Sequence, residues 1–489
     1  MSCGSNSSWY WMSNKKKAAA GVKWASIGTI TLAVTSILKL SVLARFLDKA
    51  DFGLMALITF FVGLMELFND MGLTSAILHR QGISKNEYAS LYWLNFGVSL
   101  AMYLVLLALT PLVAGFYGQS ELQILIPLLG LNLIISALGR QFKLIEQKKM
   151  AFKRISLIDI STAMLSLGVA VLLAVNGYGV YALVFSLIFQ YLSSNLLFLL
   201  SGLRAQGLLL HFRYADTKPF LKIGVFQVGG EVINYFNKDL DVLLIGKLFG
   251  AELLGGYSLA KQLIRRPLQI VNPIANKVGS SLFPKYQHES ERLQNYFLSF
   301  LKAFGPLNAW VYGSMAIFAP YLVELFYGPG FSSIVLYVQL FAVLIYLRAL
   351  AGTINILVIT KGRTDYNFYW NILTSILMPV SIFIGARYAM EGIIISMTLV
   401  QLGLLIPSWN VFFRRLIGMG FMDFLRPHIL PLLVAALVFA LGQVLFAGHF
   451  VGTLATLLLL GLSLAAYTYF TLEEFRVYVK KIYSRYARI

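Results

Sequence analysis

Apolar runs of about 20 residues recur along the whole chain, and they limit its possible folds more than any other feature. Such a run crosses the hydrocarbon core of a bilayer as a helix, which satisfies its own backbone hydrogen bonds. Only 12% of the 489 residues are charged, whereas soluble proteins carry about 25%. The longest polar connections, such as Arg140–Arg154 and Gly202–Lys222, are too short to fold as soluble domains. We therefore predict an all-α, polytopic membrane protein with about fourteen transmembrane helices.

Basic residues between the apolar runs predict how the helices are oriented. The formal net charge is +19, and most Lys and Arg side chains lie on alternate connections, as the positive-inside rule describes. Membrane topology therefore explains the positive charge better than nucleic-acid binding does, and we expect no nucleic-acid partner. The same asymmetry predicts that both termini are cytoplasmic, with an N-terminal tail over residues 1–19 and a basic C-terminal tail over residues 473–489.

Cysteine and histidine usage argues against several kinds of site. Cys3 is the single cysteine, so the chain cannot form an internal disulfide or a cysteine-based metal site. The five histidines are scattered without the spacing of metal ligands. The sequence also lacks the glycine-rich phosphate-binding loop of ATP-driven pumps. We expect no metal and no cofactor.

The two halves of the chain share a pattern that indicates an internal repeat. The segment Pro111–Gly118 returns with one insertion as Pro320–Gly328, and Gly53 corresponds to Gly255, 202 residues later. Because the repeat unit spans about six helices, both copies have the same orientation in the membrane. The axis that relates them must then follow the membrane normal.

The repeat predicts two six-helix lobes, over residues 20–202 and 217–415, around a central cavity. The last two helices, over residues 426–472, lie outside the repeat and would form an accessory pair. Rocking of one lobe against the other would open the cavity to each side of the membrane in turn.

Polar side chains follow one face of two predicted helices. In the seventh helix, Glu231, Asn234, Lys238 and Asp241 are spaced by three, four and three residues, which keeps them on one face. The polar residues of the eighth helix keep the same kind of spacing: Ser258, Gln262, Arg265, Gln269, Asn272 and Asn276. A charged face is costly against lipid, so both faces are expected to contact protein or water.

These faces predict a wet, net basic cavity that receives an anionic head group. The residues expected to bind that group are Lys39, Lys261, Arg265, Arg348, Gln262 and Asn272. The residues expected to balance the charge or to bind a coupling ion are Glu66, Asp70, Glu231 and Asp241. Arginine suits a phosphate because its planar fork of N–H donors matches the phosphate oxygens. The alternative is that these charges form ion pairs that fix the helices in register, such as Glu231 with Lys238 and Asp241 with Lys39.

Two hairpins of the sequence are similar to one known family. The first, Leu43-Ala-Arg-Phe-Leu-Asp-Lys-Ala-Asp-Phe-Gly-Leu-Met-Ala56, is followed by Glu66 and by Asp70-Met-Gly-Leu73. The second consists of Asp241–Gly250 and Leu254–Ala260. Together they resemble the bacterial polysaccharide exporters of the Wzx type. The likeness runs from about residue 20 to residue 415 and is strongest to the colanic acid exporter branch.

The resemblance implies the fold of the multidrug/oligosaccharidyl-lipid/polysaccharide exporter superfamily, with two six-helix lobes. It implies a flippase, and not an enzyme, that moves undecaprenyl-diphosphate-linked oligosaccharide from the cytoplasmic to the periplasmic leaflet of the bacterial inner membrane. A gradient of H⁺ or Na⁺ would drive transport, and the product would be exopolysaccharide, capsule or lipopolysaccharide O-antigen. Expected partners are the lipid-linked oligosaccharide, the lipid bilayer and polysaccharide polymerase or export machinery.

A cation-coupled multidrug antiporter of the same fold is the alternative function. Its cavity would be acidic or apolar because its substrates are cations, whereas the two polar faces carry Lys and Arg. Glu66 and Asp70 keep the antiporter open as an interpretation. A membrane-bound polymerase or ligase would need a sizeable outer loop, and the outer connections of this chain are short.

Overall fold

Helices make up the architecture of the protein, for which we analysed a computed structural model. The structure describes residues 5–70, 77, 80, 82–446, 449–477 and 479. Side chains are described from residue 20 onward, except at residues 222–227, 270, 274, 278 and 446. The start of the predicted N-terminal tail and most of the predicted basic tail lie outside these residues.

Six helices form the first part of the chain. They are α1 (Ser5–Leu43), α2 (Lys49–Asp70), α3 (Lys85–Tyr117), α4 (Leu122–Lys148), α5 (Phe152–Val175) and α6 (Val180–Gln206). The first helix begins at Ser5 and so extends into the predicted tail, where Lys and Ala favour helix formation. A capping box of Ser84 and Glu87 starts α3, and Gly118 ends it in the left-handed conformation.

The next helix, α7 (Tyr214–Leu282), is interrupted at Gly250, whose φ of 79° and ψ of −178° are not helical. This break lies at the predicted turn between the seventh and eighth helices. Glycine is suited to that conformation because it has no Cβ. The helix α7 therefore contains two of the predicted helices.

The remaining helices follow from residue 290. They are α8 (Ser290–Ile317), α9 (Ala319–Tyr327), α10 (Val335–Ala351), α11 (Thr353–Lys361), α12 (Thr364–Gly385), α13 (Ala389–Gly403), α14 (Leu405–Ser408), α15 (Arg415–Ile417), α16 (Phe421–Phe446) and α17 (Phe450–Thr471). Short 3₁₀ turns cover Phe283–Tyr286, Pro329–Ile334 and Ala386–Tyr388, and a π-helical turn covers Trp409–Arg414.

Eleven helical stretches among the described residues are long and apolar enough to cross a membrane. A twelfth is added if α8 and α9, bent by 66°, count as one span. Two of the eleven, Val228–Tyr286 and Thr364–Ile417, contain the breaks at Gly250 and at Ala386–Tyr388. These findings confirm an all-α, polytopic membrane protein. The breaks accommodate fourteen crossings, although that count stays a prediction.

Contacts between the helices divide the chain into two units, Met1–Gly255 and Gly256–Ile489. In the first unit, α4 packs against α3 and α6, and α1 packs against α5. The boundary lies after the predicted start of the second lobe, because the first part of α7 belongs with α1–α6 by its contacts. The lobes defined by the repeat stay a prediction.

In the second unit, the predicted accessory pair, α16 and α17, packs against α8. A Cβ added at Gly305 of α8 would lie 2.2 Å from the carbonyl oxygen of Pro427. Glycine therefore allows the backbones of α8 and α16 to approach each other closely.

Two glycines that the repeat predicts to be equivalent meet in the first unit. A Cβ at Gly53 would lie 1.8 Å from the carbonyl oxygen of Ala251, and a Cβ at Gly255 would lie 1.7 Å from that of Lys49. Lys49 and Ala251 are also 202 residues apart, so the repeat relates the contact of Gly53 with Ala251 to the contact of Gly255 with Lys49. Such reciprocal contacts are typical of residues around a two-fold axis. They support the predicted repeat.

We expect Gly53→Ala to destabilise the protein because no space exists for a methyl group at this backbone contact. Overpacking of this kind costs about 1–3 kcal/mol, which a thermal unfolding measurement on the purified protein would detect as a lower Tm. Gly97→Ala in α3 is the matched control, since a Cβ there meets nothing within 4 Å. Equal Tm values for the two variants would contradict the close contact.

Candidate functional site

The predicted site residues are divided between the two units. Lys39, Glu66, Asp70, Glu231 and Asp241 lie in the first unit. The second unit contains the remaining candidates: Lys261, Gln262, Arg265, Asn272 and Arg348.

Lys39 is a half-buried cation in the apolar part of α1. Its Nζ donates a hydrogen bond of 2.9 Å to Oγ of Ser166 on α5. Ser166 in turn donates to the carbonyl oxygen of Ser186 on α6 over 2.6 Å, and both serines are fully buried. Among the described residues Lys39 forms no ion pair. The alternative pairing of Lys39 with Asp241 is therefore absent.

A second group of charges joins α2, α4 and α6. Asp70, the last residue of α2, has its Oδ1 3.8 Å from Nη1 of Arg140 on α4, and both side chains are about one quarter exposed, at 26% and 25%. Arg140 also interacts electrostatically with Glu66, one turn earlier on α2. Glu66 in turn interacts electrostatically with Tyr191 on α6. Two carboxylates, a guanidinium and a phenol therefore lie together inside the first unit.

Arg140 is the member of this group that the sequence analysis missed, because it was assigned to the basic connection after the fourth helix. Asn132 and Ser136 precede it at intervals of four residues and are buried. That spacing places Arg140 on the same face of α4. The spacing is therefore a sequence signal that places Arg140 on a buried face of α4.

The polar face of α7 is partly buried. Asp241 is only 5% exposed, and its Oδ1 accepts a hydrogen bond of 2.9 Å from the backbone N–H of Val242. Glu231 is half-buried, and both carboxylates take part in polar or electrostatic interactions. Tyr235, between them on the helix, donates a hydrogen bond of 2.9 Å to the carbonyl oxygen of Phe60 on α2. This bond fixes α7 against α2.

The second unit holds cations in more than one environment. Lys261 is 4% exposed, whereas its neighbour Gln262 is exposed. Arg348 on α10 is half-buried, with its Nη2 3.8 Å from the sulfur of Met378. Arg265 is also half-buried, and all three cations take part in polar or electrostatic interactions.

Asn272 and Arg348 meet at Gly352, which follows α10. A Cβ at Gly352 would lie 3.3 Å from Nδ2 of Asn272 and 3.8 Å from the carbonyl oxygen of Arg348. The structure thus brings α7 and the end of α10 together at two of the predicted residues.

No group of three or more His, Cys, Asp or Glu side chains that could hold a metal ion occurs in the part of the chain that the structure describes.

Comparison with known proteins identifies the family of this chain and proteins of similar fold. Residues 42–336 match a family model described as polysaccharide biosynthesis protein. The lipopolysaccharide biosynthesis protein WzxC of Escherichia coli is 29% identical over 89% of this chain and 89% of its own length. The amylovoran biosynthesis protein AmsL of Erwinia amylovora is 30% identical over 73% of this chain and 92% of its own length.

The fold is similar to that of the lipid II flippase MurJ in an inward closed conformation. The two share a TM-score of 0.72 and 14% identity, over 92% of this chain and 99% of MurJ. At that identity the likeness concerns the fold alone.

The family match covers more than half of the chain and includes both hairpins that resemble the Wzx-type exporters. Together with the apolar helices, the family match and these relatives confirm the prediction of a membrane protein of polysaccharide biosynthesis. The chain belongs to the family of polysaccharide biosynthesis proteins.

Proposed function

We propose that the protein is a flippase that moves oligosaccharide linked to undecaprenyl diphosphate from the cytoplasmic to the periplasmic leaflet of a bacterial inner membrane. Its family membership and the lipopolysaccharide-related name of its relative WzxC support a sugar-containing cargo. The name of MurJ, a flippase for lipid II, supports a lipid-linked one. The distribution of Lys and Arg supports cytoplasmic termini.

The half-buried ammonium group of Lys39 gives the main support for an anionic cargo. An ammonium group in an apolar span is costly unless an opposite charge or water compensates it. Among the described residues, its polar partner is the neutral hydroxyl of Ser166. A diphosphate would supply the missing negative charge and form charge-assisted hydrogen bonds with the ammonium group.

The remaining candidates complete the proposed transport cycle. Lys261, Gln262, Arg265, Asn272 and Arg348 of the second unit would bind the anionic head group and the sugars. Glu66, Asp70, Glu231 and Asp241 would balance the positive charge or bind the coupling ion, H⁺ or Na⁺. Rocking of the lobes over residues 20–202 and 217–415 would expose the cargo to each leaflet in turn. Polymerase or export machinery would receive the cargo.

A cation-coupled multidrug antiporter is the second candidate, since Glu66 and Asp70 are partly buried carboxylates that could attract a cation. Arg140 opposes this interpretation because its positive charge interacts with both carboxylates. A cationic drug would meet repulsion from the same guanidinium. The flippase is therefore favoured.

Deletion of the gene in its native host should cause lipid-linked oligosaccharide to accumulate on the cytoplasmic side of the membrane and surface polysaccharide to be lost. Extraction and mass spectrometry of the lipid-linked sugars would identify the cargo. Normal surface polysaccharide, combined with new sensitivity to cationic drugs, would contradict the flippase and support the antiporter.

Lys39→Ala should lower export of the polysaccharide at least about tenfold, because one charge-assisted interaction contributes about 1.5–3 kcal/mol. Export would be measured by complementation of the deletion strain, at equal abundance of each variant in the membrane. Lys23→Ala is the matched control, since Lys23 is an exposed cation on the same helix. Equal export by the two variants would remove Lys39 from the binding site.

Arg265→Ala and Arg348→Ala should each abolish export while the variant protein still reaches the membrane. Each removes a half-buried guanidinium that we assign to the cargo phosphate. Complementation of the deletion strain measures export, and immunoblotting of membranes measures abundance. Undiminished export by both variants would contradict a basic cargo site in the second unit.

A further inference from the structure

We propose that Arg140 is a further cargo-binding residue, whose guanidinium moves from Asp70 to a phosphate of the lipid-linked cargo. This inference rests on the proposed function, because it requires a cargo that carries a phosphate group. It goes beyond the residues already assigned, since Arg140 lies on α4, which contributes none of them.

The contact between Arg140 and Asp70 is loose. Their closest nitrogen and oxygen are 3.8 Å apart, which exceeds the range of about 2.7–3.2 Å for an N–H···O hydrogen bond. Lys143, also on α4, forms a shorter ion pair with Asp159 on α5. Lys143 Nζ lies 2.8 Å from Asp159, which also accepts a hydrogen bond from Ser194.

One N–H donor group of the Arg140 guanidinium is available to a ligand. Its Nη1 is shielded from solvent and has no hydrogen-bond partner among the described residues. A buried N–H group without an acceptor costs free energy, so native proteins rarely leave one without a role. A phosphate offers several oxygens, which the planar guanidinium can bind through two parallel hydrogen bonds.

The surroundings of Arg140 suit an exchange of partners. When ionised, Glu66 and Asp70 both attract the guanidinium of Arg140. Asp70 therefore competes with an incoming phosphate for the guanidinium. When the phosphate binds, the carboxylates lose their counter-charge and their affinity for a cation rises, because coupling between two ligands is reciprocal. Among the described residues, Tyr191 interacts electrostatically with Glu66 and Arg140, and Tyr235 interacts with Glu66.

The position along the helices also fits a phosphate of the cargo. Asp70 ends α2, and Arg140 lies eight residues before Lys148, the end of α4. That separation corresponds to about 12 Å of helix. Both ends lie on the side that the basic connections predict to be cytoplasmic. A lipid-linked head group begins its passage at this surface.

The test measures binding of farnesyl diphosphate to the purified full-length protein in lipid nanodiscs, with farnesol as the uncharged comparison. Arg140→Ala should weaken the affinity for farnesyl diphosphate about tenfold, which is the loss of one charge-assisted contact. Arg154→Ala is the matched control, because Arg154 also lies within 4 Å of a carboxylate, at 3.7 Å from Glu146. This variant should bind as the wild type does.

A double-mutant cycle separates an exchange of partners from a general effect of charge. Asp70→Asn should tighten binding several-fold in the wild-type background and leave it unchanged in the Arg140→Ala background. The same gain in both backgrounds, or full affinity of Arg140→Ala, would overturn the inference. If Arg140→Ala does not fold, Arg140→Gln, which also removes the positive charge, replaces it in the cycle, and its failure to reduce the effect of Asp70→Asn would likewise overturn the inference. Equal binding of farnesol and farnesyl diphosphate by the wild type would instead overturn the proposed function itself.

Discussion

A charge inside an apolar span needs an opposite charge, a hydrogen-bond partner or water, because hydrocarbon provides none of these. In the first unit, the charged side chains differ in how closely such a partner approaches them. Lys143 is satisfied by Asp159 at 2.8 Å, whereas Arg140 is held loosely by Asp70 at 3.8 Å. Lys39 has the hydroxyl of Ser166 as its described partner. We propose that paired charges such as Lys143 hold helices together, and that Lys39 and Arg140 are available to a ligand.

The sequence was sufficient for the helical membrane fold because length and apolarity alone decide whether a helix can span a bilayer. The internal repeat also identified Gly53 and Gly255 as equivalent positions. That these glycines touch could not be predicted, since a repeat relates residues without giving the distance between them. The contact with Ala251 and its counterpart with Lys49 required the packed helices. The same contacts place the first part of α7 with α1–α6, a grouping that the repeat alone did not predict.

The candidate site was less accessible to prediction. Spacing along one helix identified polar faces, but the partner of a charge lies on another helix. Arg140 was therefore assigned to a connection, although it lies beside Asp70 and interacts with Glu66. Conversely, Lys39 and Asp241 have opposite charges but do not pair, because Lys39 binds Ser166 and Asp241 binds the N–H of Val242. Opposite charge alone does not determine which side chains meet.

The proposed function requires that this chain alone carries an anionic, lipid-linked sugar across a bilayer. The direct measurement is transport by the purified protein in liposomes that contain a labelled undecaprenyl-diphosphate-linked oligosaccharide, followed with a glycosidase that cannot cross the membrane. If the protein is a flippase, the enclosed label becomes accessible to the glycosidase with time in liposomes that contain the protein. Accessibility no faster than in protein-free liposomes, under gradients of H⁺ and of Na⁺ alike, would contradict the proposed function.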